Sequence, residues 1–292
     1  SFTHVSGVKS TSNSVDPCTS CVPEPVREVD LAKAEKTILA GMATSQDSPR
    51  GSLEEDAKSP IRKVRIVPGK SETSQLAQGC FQDLWRHMGG NVTAEETRRY
   101  YDMMACHFDE LMAEHHYNGP SIMTNRMISL NIPKEVCILD VGCGTGLLGA
   151  ALSKAGYATI DGIDMSEEML RQAQKKSIYG KTMKFIVDHK MKLSDHLERP
   201  YDVICLLSSL QPGHVSALAL DNLCSVLKSG GHLLWARSTQ IPEKQLSGVF
   251  KRGEWQKIKT GLAAKGVAEL EEKNVEKFQN DKPGIFGIFR KS

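Results

Sequence analysis

The sequence predicts an α/β fold, a Rossmann-like parallel sheet with helices on both faces, and three observations carry that prediction. From Thr93 onward, short apolar runs alternate with amphipathic stretches, the pattern of strands joined by covering helices. The run Ile138-Leu139-Asp140-Val141-Gly142-Cys143-Gly144-Thr145-Gly146 is an apolar strand that ends on a carboxylate and turns through three glycines toward a helix. A second apolar strand ends on another carboxylate, Asp164, eighteen residues beyond Gly146.

Seven strands are expected, at 136–140, 158–164, 184–188, 201–207, 232–237, about 267–277 and 284–290, the last two forming a hairpin. Helices are expected at about 146–155, 166–176, 215–228 and 248–264. Ser166 is placed to cap the second of these, with Glu167 and Glu168 complementing the dipole of its first turn. Gly156 and Gly230-Gly231 fall where helices should stop. Ahead of the sheet, Tyr101, Ala105, Phe108 and Met112 recur at helical spacing and put an apolar stripe on one face.

The glycine loop narrows the ligand. Glycines at 142, 144 and 146 let backbone turn sharply and approach a bound group that a Cβ would obstruct. Asp164 at a strand end can accept both hydroxyls of a ribose. A dinucleotide fingerprint would seat a pyrophosphate on the helix start. Here Leu147 follows Gly146, and Asp140 would set negative charge beside the phosphates. A cofactor with a cationic sulfonium and an ammonium, and no phosphate, suits a nearby carboxylate better.

On these residues the chain resembles the class I S-adenosylmethionine-dependent methyltransferases. Their first motif is similar to Asp140 through Gly146, and their second acidic residue to Asp164 in Gly162-Ile-Asp-Met-Ser-Glu-Glu-Met-Leu170. The resemblance implies a seven-stranded sheet whose last strand is antiparallel, in a domain spanning 91–292 with lid helices at about 91–130. It implies S-adenosylmethionine contacts at Asp140, Gly142, Cys143, Gly144, Gly146 and Asp164. It further implies Met165 against the adenine, Asp188 on the adenine amino group, Leu206 on the fourth strand, and Tyr101 on a lid. The lid segment, Tyr117-Asn-Gly-Pro120 and the block from Asp140 to Leu170 follow the order found in one methyltransferase-like family, over roughly 95–292. The chain departs from that family at Met104, where Trp is usual.

The fourth strand leads into Ser208-Ser-Leu-Gln-Pro-Gly-His214, which should face the methyl acceptor. No Asn/Asp-Pro-Pro-Tyr/Phe motif is present, which disfavours base and amide nitrogens as acceptors. His214 is the one candidate general base, its plainer reading being an exposed histidine at a helix start. Transfer from a sulfonium gains most from alignment, so a catalytic base is not required. The expected function is methyl transfer to a small-molecule acceptor. A non-catalytic S-adenosylmethionine-binding regulator and a nicotinamide-dependent oxidoreductase are the alternatives, the latter opposed by Leu147 and Asp140.

Composition sets the remaining bounds. Of 292 residues, 37 are basic and 35 acidic, a balance that gives no nucleic-acid or membrane footprint. No apolar run is long enough to span a bilayer, and a cytoplasmic or nuclear setting is expected. Eight cysteines are few for a disulfide scaffold, and Cys18-Thr-Ser-Cys21 lacks the second ligand pair of a zinc site, so no metal is expected. Residues 1–90, rich in Ser, Thr, Pro and charge, read as a disordered tail that is a candidate for binding another protein. Within it, 29–42 has the spacing of one short helix, and Arg62-Lys-Val-Arg65 reads as a solvated basic cluster.

Overall fold

A computed structural model describes residues 27–30, 63–69, 71–87, 92–190, 192–240 and 252–292. Its strands in chain order are β1 (Arg27–Asp30), β2 (Lys63–Ile66), β3 (Cys137–Val141), β4 (Thr159–Asp164), β5 (Lys181–Lys184), β6 (Tyr201–Leu207), β7 (Leu227–Ser238), β8 (Val267–Gln279) and β9 (Lys282–Lys291). Seven of them make one sheet in the order β5-β4-β3-β6-β7-β9-β8. β3 pairs in parallel with β4 and β6, β4 with β5, and β6 with β7. Only β9 runs against its neighbours, slotted between β7 and β8. The strand order reverses direction at β3, so the carboxyl ends of β3, β4 and β6 open onto the crevice where such sheets take ligands.

The expected strands lie within a few residues of these bounds, with one shift. The third covering strand is Lys181–Lys184, not 184–188, because the ladder to β4 ends at Asp164 opposite Lys184. Helices α5 (Leu147–Lys154), α6 (Glu167–Lys175), α7 (Leu220–Ser225) and α8 (Arg252–Ala264) join the strands. Ser166 caps α6 as expected, its hydroxyl accepting from the Met169 N–H at 3.1 Å. The strands are apolar on both faces because both are covered. Leu139, Ile204, Leu206 and Leu233 pack with α7 residues on one side, while Ile138, Val203, Cys205 and Leu234 pack on the other with Met123 and Met127 of α4 (Gly119–Ser129).

The boundary expected at residue 91 does not hold. Glu72–His87 forms helix α1, whose Leu76, Ala77, Cys80, Phe81 and Leu84 make a continuous buried face. That face packs on Tyr100, Met103 and Met104 of α2 (Ala94–Met104) and on Leu111 and Met112 of α3 (Phe108–Glu114). β1 and β2 pair antiparallel and lay Val29, Val64 and Ile66 on the same cluster. A Cβ on Gly79 would sit 2.3 Å from a Val64 methyl, so the small residue lets the ribbon close on α1. The spacing i, i+1, i+4, i+5, i+8 marks a helix face despite the polar composition around it. Val29 and Asp30 belong to β1 and not to a helix, and the rest of the expected helix, 31–42, lies outside the described residues, as do Cys18 and Cys21.

Candidate active site

β3 and β4 end level, with Asp140 opposite Gly162 and Val141 opposite Ile163. The chain then turns so that the N–H groups of Gly142 and Cys143 both donate to the Ile163 carbonyl, at 2.8 and 3.0 Å. Gly142, Gly144 and Gly146 all take positive φ, of 72°, 55° and 86°. A Cβ at 142 would lie 2.5 Å from that of Ser209, whereas one at 144 would meet nothing within 4 Å. The loop is therefore packed from behind at Gly142 and open toward the cleft at Gly144.

Asp164 ties this loop to the next helix. Its Oδ2 accepts from the Gly144 N–H and its Oδ1 from the Ser166 N–H, both at 2.8 Å. Asp140 receives the Tyr179 hydroxyl at 2.8 Å. Burial pushes the Asp140 carboxyl up to about 7, against the Tyr179 hydrogen bond, which lowers it. Burial likewise pushes Asp164 up to about 6, opposed by the N–H groups of Ser166 and Gly144. Among the described residues that wall the cleft, none is Lys or Arg. Two carboxylates thus face an aromatic and apolar cavity whose described walls carry neither Lys nor Arg.

The segment expected as a lid is two helices and not one: α2 and α3 are separated by a 3₁₀ turn over Ala105–His107. Tyr101, Phe108 and Met112 wall the cleft, while Ala105 packs away from it. Met104, the position of departure, is fully buried in the packing against α1 and does not reach the cleft wall. Helices α2 and α3 and the segment after them are tied to the loops that follow β3, β4 and β6 and to the end of α6. Asp102 accepts from the Ser166 hydroxyl, Asp109 accepts from the Thr145 hydroxyl and pairs with Lys176, and Tyr117 meets the Ser208 hydroxyl at 2.8 Å.

Tyr101 also reaches across to His214. Its hydroxyl lies 2.8 Å from Nε2, while Nδ1 is 3.0 Å from the Pro212 carbonyl. The carbonyl can only accept, so Nδ1 carries the proton and Nε2 accepts from Tyr101. Burial pushes His214 down to about 4, so the ring is neutral at pH 7. It is not the exposed helix-start histidine of the plainer reading.

Of the residues the sequence singles out, the cleft brings together Tyr101, Asp140, Gly142, Cys143, Gly144, Asp164, Met165 and His214. Three stand elsewhere. Leu206 points into the core and is fully buried, and its neighbour Leu207 faces the cleft, as alternation along a strand requires. Gly146 caps α5 in a left-handed conformation with the Tyr179 ring behind it. Asp188 follows β5 in a loop, where its carboxylate accepts from the Lys190 N–H at 2.8 Å, and Phe185, Ile186 and Val187 take the cleft wall instead. Sequence reasoning missed Phe81, Leu84 and Trp85, which α1 contributes to the cleft, and Gln279 from the end of β8. The helical spacing of 76–84 was the available signal for the first three; Gln279 carries none.

A sheet in which only β9 runs antiparallel, with a glycine loop after β3 and a carboxylate closing β4, is the arrangement that the resemblance to class I S-adenosylmethionine-dependent methyltransferases implies. Residues 138–231 match the family described as a methyltransferase domain. The chain is 31% identical over 134 residues to methyltransferase-like protein 27 of Homo sapiens, covering 45% of this chain and 54% of that protein. It is 29% identical over 116 residues to a ubiquinone biosynthesis O-methyltransferase of Hydrogenovibrio crunogenus, covering 39% and 47%. It is 31% identical over 163 residues to a malonyl-[acyl-carrier protein] O-methyltransferase of Halalkalibacterium halodurans, covering 48% and 60%. The chain thus spans about half the length of the curated relatives it matches. No helix among the described residues is long and apolar enough to cross a membrane.

Proposed function

We propose that this protein is an S-adenosylmethionine-dependent methyltransferase that passes a methyl group directly to a small, uncharged acceptor. One observation carries the reading: Asp140 and Asp164 share a buried cleft whose described walls hold no Lys or Arg. Such a site attracts a cation and repels a pyrophosphate, which separates S-adenosylmethionine from a nicotinamide dinucleotide. The open side of Gly144 and the apolar walls at Met165 and Phe185 suit a nucleoside, with Asp164 in reach of ribose hydroxyls and Asp140 of an ammonium.

When bound, the cofactor supplies an activated methyl group on a sulfonium. The residues of this chain would then orient the acceptor and exclude water. Phe81, Leu84 and Trp85 of α1 and Tyr101 and Phe108 of the lid wall the cleft with apolar surface that suits the acceptor's body. The lack of Lys or Arg among the described walls argues against a carboxylate, phosphate or nucleic-acid acceptor and favours a neutral hydroxyl or amine. Neutral His214 has too little basicity to activate a hydroxyl beforehand, whereas a neutral amine needs no base to attack; a hydroxyl oxygen that has accepted the methyl group is an oxonium and far more acidic. The proton it sheds can be taken at the Tyr101 hydroxyl as that hydroxyl passes its own to His214 Nε2.

Calorimetric titration with S-adenosylmethionine, S-adenosylhomocysteine and NAD tests the cofactor, and labelled-methyl turnover on a library of neutral phenols, alcohols, amines and carboxylic acids tests the acceptor. Binding of NAD in preference to S-adenosylmethionine refutes the first assignment. Turnover confined to carboxylates refutes the second. Binding of the cofactor with no turnover on any class would favour the regulatory alternative.

A further inference from the structure

Tyr179 lies in the short connection between α6 and β5 and belongs to neither the glycine loop nor the cleft wall. Its side chain nevertheless runs behind that loop, and three glycines make room for it. A Cβ on Gly149 would lie 2.5 Å from the Tyr179 hydroxyl, one on Gly146 3.0 Å from its ring, and one on Gly162 3.1 Å from its ring. Neither Gly149 nor Gly162 takes a positive φ, so backbone conformation does not explain them. The slot they form ends where the tyrosine hydroxyl donates to Asp140 Oδ2 at 2.8 Å.

We infer that Tyr179 is a positioning residue that aims the Asp140 carboxylate at the cleft and holds it in the ionised form that binds the cofactor's cation. The inference rests on the cofactor reading given above. The ionisable groups facing Asp140 are Asp164 from the end of β4, Cys143 from the glycine loop, Cys205 from β6, Tyr117 from the segment before α4, and Tyr179 itself. Of these, Asp164 raises the Asp140 carboxyl further, and only the Tyr179 hydrogen bond lowers it. A neutral hydroxyl is thus the group that favours charge at a position where burial opposes it.

Calorimetric titration of the full chain with S-adenosylmethionine from pH 6 to pH 9 is the test. The wild-type affinity should fall as pH drops through about 7. Tyr179→Phe keeps the ring in its slot and removes only the donor, so the midpoint should rise by about one pH unit. On that shift the ionised fraction at pH 7 drops about fivefold, affinity falls with it, and the two proteins converge near pH 9. In an Asp140→Asn background the same substitution should change nothing. A Tyr179→Phe profile superimposable on the wild type overturns the inference while leaving the cofactor assignment intact. A loss equal at every pH also overturns it, because that is the mark of packing alone. Absence of binding by the wild-type chain removes the cofactor assignment and this inference together. Gly149→Ala supplies a second route: a Cβ there displaces the hydroxyl, and a midpoint unmoved in that folded variant counts against the inference as well.

Discussion

Replacing Asp164 by alanine should separate cofactor binding from folding, because its two effects on stability nearly cancel. The carboxylate accepts from Gly144 and Ser166 at 2.8 Å each, and losing those charge-assisted bonds costs about 1.5 to 3 kcal/mol apiece before water replaces them. Against this stands the burial of a charge. With those two bonds included, the carboxyl is held at about 6 where an unfolded chain has it near 3.9, a net cost to the free protein of about 3 kcal/mol at pH 7.5; alanine removes that net cost and leaves the two N–H groups to water. The melting temperature should therefore move by only a few degrees. Binding has no such compensation. Two ribose hydroxyls that lose a charged acceptor weaken S-adenosylmethionine by at least about 3 kcal/mol, roughly a hundredfold in Kd. Calorimetry and thermal melts at pH 7.5 on the same preparation read both quantities. A folded variant with unchanged Kd would refute the assignment of Asp164.

Three further outcomes are expected. Leu84→Ala should lower stability by about 2 to 5 kcal/mol in denaturant titration, and deletion of residues 1–91 should lower it more, since Leu84 is buried in the cluster that joins α1 to the lid; a truncated protein that melts with the wild type would contradict this packing. The stability contributed by Asp140 and Asp164, both raised above their unfolded values, is present in full below about pH 4 and is lost as pH rises through about 6 and 7. Asp140→Asn should accordingly flatten the fall in melting temperature of the cofactor-free protein between pH 5 and 8, and an unchanged slope would count against a buried titrating carboxyl. Tyr101→Phe keeps the ring contacts with Phe108 and His214 but strips the donor from Nε2, so turnover should drop while S-adenosylmethionine affinity holds; equal loss of both would mean that Tyr101 serves the cofactor alone.

The sheet was legible because its signals are local. An apolar run of four or five residues closed by a carboxylate and glycines specifies a buried strand and its loop without knowledge of any neighbour, and Asp140, Gly144 and Asp164 stand on the cleft as their motif requires. What the sequence concealed depends on a register or on a partner. Leu206 and Leu207 differ by one position, which on a strand is the difference between core and cleft. Asp188 lay outside the strand once the ladder of β5 stopped at Lys184. The helix at Glu72–His87 sits in a polar neighbourhood, and its apolar face acquires meaning only from the lid residues it covers.

That covering links stability to function. A cleft that collects two carboxylates and no Lys or Arg among its described walls is costly to a free chain, and backbone N–H groups and one tyrosine hydroxyl partly compensate the charge of its ionised form. A cationic ligand completes what those groups begin, so its binding energy comes partly from relief of a penalty already present in the fold. The lid is held by the same chemistry: Asp102 bonds the Ser166 hydroxyl, whose own N–H is bound by Asp164, and Asp109 bonds Thr145 beside Gly144. A change in charge at Asp164 is therefore one residue removed from the contacts that close the site. Cofactor binding and lid closure should be coupled through Ser166, with α1 transmitting neither but setting how tightly the lid can rest. Asp102→Ala tests that coupling from the side of α2, since it removes the acceptor of the Ser166 hydroxyl and leaves both the cap to the Met169 N–H and the backbone N–H to Asp164; hydrogen exchange should then show less added protection across residues 100–112 when S-adenosylhomocysteine binds, and undiminished protection would place the coupling elsewhere.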